Sequence, residues 1–162
     1  MTLILAILFI LSKRSWFFVL RSRCSRKGFM GQPAAKANDQ VIATDTHIVI
    51  VPAGPAQVPT PLPHPFTGKI TGGLATSVRI GGQPAAVVGS TADNLPPHIP
   101  TPPGVTFQKP PANKGTVQMG SATVKFGGKP AARNGDTVLT CNDPADAPVG
   151  KVVAVGTVMV GG

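Results

Sequence analysis

A short segment that occurs twice constrains what this chain can fold into more than any other feature. The first copy is Val78–Ala86 (VRIGGQPAA), and the second is Val124–Ala132 (VKFGGKPAA). In each copy, apolar residues at alternate positions predict a short strand with one buried face. The Gly-Gly pair tolerates the positive φ of a tight reversal, and the proline prevents a helix. Each copy therefore predicts a β-hairpin, and a partial third copy occurs at Val158–Gly162.

The composition favours an all-β domain with a thin core. The 162 residues include 19 glycines and 18 prolines, which separate β-branched runs, and no tyrosine. This length suits one domain, or one domain with a tail. Because Val, Ile, Ala and a few Phe form only a small core, we expect a metal ion, a disulfide or an oligomer to stabilise it. No stretch of the sequence has the spacing of apolar residues that predicts an amphipathic helix.

The positive charge is concentrated at the N terminus. The net charge is +9, yet residues 1–36 contain seven Lys and Arg and no acidic residue. The remainder is therefore close to neutral. Nucleic-acid binding requires a basic face with aromatic or motif support. Residues 37–162 offer neither, so we do not expect a nucleic-acid partner.

Residues 1–36 differ from the rest of the chain and are predicted to be an N-terminal tail. The apolar run Thr2–Leu11 is too short for a standard transmembrane helix, and no basic segment precedes it as in a signal peptide. Met30–Ala35 resembles an ordinary cytosolic start. Two interpretations stay open: an over-extended reading frame that begins before Met30, or a real anchor or signal. The domain itself is predicted to span residues 37–162.

Proline determines the predicted loops of this domain. Short strands are predicted at Gln40–Ala43 and His47–Val51, and a further β-prone run spans Lys151–Val160. Between them, residues 52–65 and 95–104 are rich in proline, which disfavours both helix and central strand. We therefore predict two extended, polyproline-like loops.

The domain contains a small set of residues that can bind a metal ion. Outside the tail, its only histidines and cysteine are His47, His64, His98 and Cys141, which are common zinc ligand types. All four are predicted in loops or at strand ends. Their spacing does not match a zinc finger, so the prediction depends on composition.

Simpler interpretations of these residues also stay open. A lone histidine in a loop is commonly a solvated surface residue, and a lone buried cysteine commonly acts as a small apolar side chain. Cys24 can pair with Cys141 only in an oxidising compartment and only if the tail belongs to the mature protein.

The sequence does not predict an enzyme. It lacks a Gly-x-Ser-x-Gly motif, and its acidic residues are scattered. No Gly-Gly pair is followed by the Lys-Ser/Thr of a phosphate-binding loop. A metal site closed by four protein ligands also leaves no position for a reacting water.

Two segments carry a resemblance to a known family. Gly81–Ala86 and Gly127–Asp136 resemble the motif of the PAAR-repeat family, named after its proline-alanine-alanine-arginine signature. The second copy has the complete signature at Pro130–Arg133. The first copy departs from it, with Val87 in place of arginine and Ser90 in place of aspartate. The resemblance covers roughly residues 38–162.

The resemblance implies a fold and a metal site. PAAR-repeat proteins form a small cone of short β-hairpins, here with pseudo-threefold repeats and Pro/Gly-rich loops. The point of the cone is closed by a structural zinc ion held by three histidines and one cysteine. In this sequence the matching set is His47, His64, His98 and Cys141, and Cys141 follows the Pro-Ala-Ala-Arg-x-Gly-Asp segment as in the family.

The resemblance also implies a mechanical function. Such a protein caps the trimeric spike protein, of the valine-glycine repeat type, in a contractile injection system such as type VI secretion or a phage-tail-like particle. It sharpens the spike for puncture of a target membrane, recruits effector proteins through exposed loops, and travels from the cytoplasm out of the cell. The alternative is a membrane-anchored or exported β-rich binding protein tethered by residues 2–20. A metal hydrolase is disfavoured because no positioned carboxylate or open site is evident.

Overall fold

The computed structural model describes residues 31–103 and 105–161. Throughout this part the chain is all-β: its strands pair in antiparallel fashion, and it forms no helix. The predicted all-β class is therefore confirmed. The predictions for the segment before Met30 lie outside the described residues. Within them, no helix is long and apolar enough to cross a membrane.

The strands of the described residues vary from two residues to 17. In chain order they are β1 (Gln32–Pro33), β2 (Gln40–Ala53), β3 (Ala56–Gly72), β4 (Ala75–Ile80), β5 (Gln83–Ala85), β6 (Thr91–Asn94), β7 (Thr106–Phe107), β8 (Lys114–Val117), β9 (Lys125–Phe126), β10 (Lys129–Pro130), β11 (Thr137–Thr140), β12 (Ala147–Val153) and β13 (Met159–Val160).

The main sheet closes on itself. Its order is β12-β11-β8-β6-β3-β2-β7, and β12 also pairs with β2. Strands β2, β3, β6, β8, β11 and β12 therefore form a closed ring, with β7 attached to the outer part of β2. Closure leaves fewer unpaired strand edges. The largest side chains of the apolar core cluster that it encloses belong to Val41, Phe66, Ile70, Val117, Val138 and Val152.

Three two-stranded pairs lie outside the closed sheet. The predicted hairpins are β4–β5, in which Ile80 pairs with Gln83, and β9–β10, in which Phe126 pairs with Lys129. The third pair is formed by β13 and β1, in which Val160 pairs with Gln32. The partial copy at the end of the sequence is thus completed by residues from the start of the described region.

The three Pro-Ala-Ala segments meet in a closed ring of hydrogen bonds. Ala35 N donates to Ala132 O (2.9 Å), Ala132 N to Ala86 O (3.0 Å), and Ala86 N to Ala35 O (2.9 Å). All three alanines are fully buried. We call this arrangement the alanine ring. Because Ala35 belongs to it, the folded region begins before residue 37, where the sequence placed the domain boundary.

The prediction of a loop at residues 52–65 is wrong, because most of this segment belongs to the long hairpin β2–β3. Prolines occupy alternate positions of β3, at 59, 61, 63 and 65. On the same strand, Ile70 N donates towards the β2 side, to Asp39 O, while Thr67 N donates away from it, to Asn94 Oδ1. Odd-numbered residues of β3 thus direct their backbone nitrogen away from β2. The prolines therefore remove no hydrogen bond to β2, and they leave the outer edge without donors.

Candidate metal centre

The structure brings three of the predicted ligands, His47, His98 and Cys141, into one group whose donor atoms lie within 4.8 Å of one another, and His64 lies beside His47 and His98 but outside that group. His47 lies on β2, His64 on β3, His98 in the loop after β6, and Cys141 directly after β11. The ring centroid of His47 is 5.4 Å from that of His64 and 4.8 Å from that of His98. The expectation that every ligand lies in a loop or at a strand end is wrong for His47 and His64, which lie within strands.

Strand alternation explains why the ligands of the long hairpin face inward. On β2 the side chains of Asp45, His47 and Val49 are buried, and the residues between them are more exposed. On β3 the same alternation buries His64 and Phe66. Since Asp45 pairs with His64 in the register, His47 and His64 are diagonal neighbours on one face.

The loop that carries His98 is held by a side chain from the next segment. Asn113, which has a φ of 54°, accepts a hydrogen bond from His98 N through Oδ1 (2.7 Å). Asparagine tolerates this left-handed conformation better than most residues. The contact fixes the backbone at His98, so that its ring reaches the histidines of the hairpin.

Hydrogen bonds determine which ring nitrogens carry protons. His47 Nδ1 lies 3.3 Å from the Asp143 carboxylate, His64 Nδ1 is 3.0 Å from Leu62 O, and His98 Nε2 is 3.1 Å from Pro65 O. Carboxylate and carbonyl oxygens only accept, so these nitrogens donate. The lone pairs are consequently on His47 Nε2, His64 Nε2 and His98 Nδ1.

The three lone pairs lack donors to satisfy them. His47 Nε2 and His98 Nδ1 face each other at 3.0 Å, a distance at which two acceptors repel. His64 Nε2 is buried and has no hydrogen-bond partner. Buried polar atoms are rarely left without a partner. A cation bound by His47 Nε2 and His98 Nδ1 would remove their repulsion, so the residues fit a metal ion.

Cys141 completes the cluster with a sulfur donor. It is buried and free, and its Sγ donates to Asp45 Oδ2 at 3.4 Å. Burial, followed by the negative charge of Asp45, raises the pKa of the Cys141 thiol to about 11. The side chain is therefore a thiol at neutral pH unless a metal ion displaces its proton. Its proposed disulfide partner, Cys24, lies outside the described residues.

Burial also keeps a histidine of the cluster neutral. The pKa of His98 is lowered below its usual value, mainly by desolvation and then by the neighbouring His47. A metal ligand must be the neutral imidazole.

Phe107 packs against His47 and His64, with ring centroids 5.6 and 5.2 Å away, and shields the rings from water.

Sequence reasoning missed one member of the cluster, Asp45. Donor atoms of Asp45, His47, His98 and Cys141 all lie within 4.8 Å of one another, and this group can hold a metal ion. Asp45 is fully buried. Its position two residues before His47 would have indicated a shared face, had the strand through both residues been predicted.

Comparison with known proteins does not add to this description. No family model matches the sequence, and no curated protein matches it.

Proposed function

We propose that this protein is the spike-tip protein of a contractile injection system. Its alanine ring and three flanking hairpins dock on a trimeric spike protein, and a structural zinc ion closes the opposite end. The alanine ring carries this proposal, because it lets a single chain present three equivalent hairpins to a threefold partner.

The equivalence of the hairpins extends beyond their register. Further backbone hydrogen bonds connect the copies in the opposite cyclic sense: Val88 N donates to Pro130 O, Asn134 N to Pro33 O, and Ala37 N to Pro84 O. A trimeric spike presents the same surface three times. A chain with three matching edges can satisfy all three surfaces, which supports a pseudo-threefold, conical tip.

One of the three hairpins also exposes apolar side chains that can serve in docking, whereas the other two carry Arg79 and Lys125 at the register-equivalent position. On β13, Met159 is 56% exposed, and Val158 beside it is also exposed. Beneath them, Ile80, Phe126 and Val160 pack in a second apolar cluster that fixes the hairpins to one another. Exposed apolar side chains on a rigid base are typical of a protein-binding surface.

Zinc suits the other end of the molecule. Imidazole nitrogen and thiolate sulfur are preferred zinc ligands, and His47, His64, His98 and Cys141 supply them. When bound, the metal adds structural cross-links and no reactive group. His47 and Cys141 lie further along β2 and β11 than the residues next to the alanine ring. The metal centre thus stabilises the end remote from the spike, where puncture of a membrane applies force.

Two measurements test this proposal. Metal analysis of the purified protein should give one zinc per chain, and Cys141→Ser should remove it. A metal-free protein of unchanged stability would contradict the zinc centre.

Docking should be measured separately, by co-purification with the trimeric spike protein from the same genome. Met159→Asp should abolish it, because a charge on β13 disrupts an apolar interface. Val149→Asp, at a similarly exposed site on β12 (46% exposed), is the matched control and should leave docking intact. Equal loss in both variants would argue against docking through the hairpins.

A further inference from the structure

We propose that Asp45 is a fifth protein donor of the metal centre, through its Oδ2 atom. This inference rests on the proposed metal centre and concerns its composition. It gives the site a second anionic ligand beside Cys141. The loaded centre would then have five protein donors instead of the four that the sequence indicated.

The two carboxylate oxygens of Asp45 have different surroundings. Oδ1 accepts hydrogen bonds from Thr140 Oγ1 (2.5 Å) and from Asn142 Nδ2 (3.2 Å). These donors satisfy Oδ1. Oδ2 instead lies 3.4 Å from the ligand atom Cys141 Sγ, and Asp45 belongs to the group whose donor atoms all lie within 4.8 Å of one another. The oxygen without backbone, hydroxyl or amide donors is thus the one that faces the metal centre.

The hydrogen bond from Cys141 cannot survive metal binding. A thiol that binds a metal ion loses its proton, and Sγ is the donor that faces Oδ2. Asp45 Oδ2 would then be a fully buried anionic oxygen beside a thiolate. Two buried anions at this distance are stable only when a cation compensates them. Direct contact with the metal ion provides that compensation.

The charge of the site leads to the same conclusion. Three neutral imidazoles and one thiolate leave a divalent ion with one excess positive charge in a buried place. Asp45 neutralises it. The other nearby carboxylate, Asp143, contacts His47 at Nδ1, on the side of the ring away from the donor Nε2, and also accepts from Ile48 N. It is therefore placed to orient His47 and not to bind the ion.

Cobalt(II) substitution of the full-length protein distinguishes four donors from five, because five-coordinate Co(II) has weaker visible absorption than tetrahedral Co(II). The wild type should show the weaker bands. Asp45→Asn should show the stronger bands and bind Co(II) more weakly. Thr140→Val is the matched control: it removes a hydrogen bond to Oδ1, leaves Oδ2 in place, and should keep the wild-type spectrum.

Each alternative result overturns the inference in a distinct way. An unchanged spectrum in Asp45→Asn, or an equal change in Thr140→Val, would show that Asp45 only holds the segment around Cys141. If no Co(II) or zinc binds the wild type, the metal centre itself fails. If Asp45→Asn does not fold, X-ray absorption of the zinc-loaded wild type decides: four N/O donors and one sulfur support the inference, and three N/O donors with one sulfur overturn it.

Discussion

The alanine ring and the metal centre lie at different points along the same strands and are built in different ways. The ring uses backbone hydrogen bonds between three copies of one short sequence. The metal centre uses side chains from four segments, and these side chains differ in type. The alanine ring is thus built from repeated backbone segments, whereas the metal centre is built from single side chains that can select a metal ion.

Removal of the metal ion should have the largest effect on stability, and it should act on the metal centre and not on the alanine ring. Bound zinc at a thousandfold its dissociation constant contributes about 4 kcal/mol to the free energy of unfolding. Treatment with a chelator should therefore lower the urea midpoint markedly, and added zinc should restore it. Identical urea curves for the chelated and the zinc-loaded protein would contradict a stabilising metal ion at this end of the molecule.

A substitution in the alanine ring should act without the metal ion. Ala86→Leu inserts a large side chain where three fully buried alanines meet, and overpacking of this kind costs about 1–3 kcal/mol. Urea unfolding should show this loss while the zinc content stays at the wild-type value. Ala145→Leu, at an exposed position, is the control and should change neither quantity. A loss of zinc in Ala86→Leu would show that the two ends are coupled.

The equivalence of the copies can be tested at the turn that follows each Pro-Ala-Ala segment. Asp39 Oδ2 accepts from Lys36 N (2.9 Å), and Asp136 Oδ2 accepts from Arg133 N (2.7 Å). Asp39→Ala and Asp136→Ala should each lower the free energy of unfolding by about 1.5–3 kcal/mol, since each removes charged hydrogen bonds. Similar values in urea unfolding would support equivalence, and a large difference would refute it.

The control for these turns is an aspartate with an exposed partner. Asp93 pairs with Lys114 at 3.6 Å, and both side chains are about half exposed. Asp93→Ala should cost less than about 1 kcal/mol because solvent screens this pair.

The smallest expected effect is a pH dependence confined to the metal centre. In the metal-free protein, the lowered pKa of His98 means that the unfolded chain binds a proton more readily than the folded one. Stability should therefore be complete above the unfolded pKa of about 6.5 and decline as the pH falls below it. Urea unfolding in chelator at pH 7.5 and 5.5 measures this decline. The decline in stability should be smaller in His98→Gln. An equal decline in this variant would mean that other titratable groups cause the pH dependence.

Several features could be predicted from the sequence because their causes are local. The Gly-Gly turns are one example: Gly81, Gly82, Gly127 and Gly128 all have positive φ, as expected from their position after an alternating strand. Three of the predicted ligands, His47, His98 and Cys141, also come together, with His64 beside them. The third hairpin could not be recognised, because its strands, β13 and β1, come from opposite ends of the described chain.

The sequence by itself determined the all-β class, the two hairpin repeats and the residue types available to a metal ion, because turn geometry and side-chain chemistry are local properties. Tertiary structure decided the rest. Proline at every second position is compatible with β3 only because those positions face an unpaired edge. Asp45 is buried beside Cys141 only because β2, β3 and β11 belong to one closed sheet. Both facts depend on strand pairing between distant residues, which no local pattern encodes.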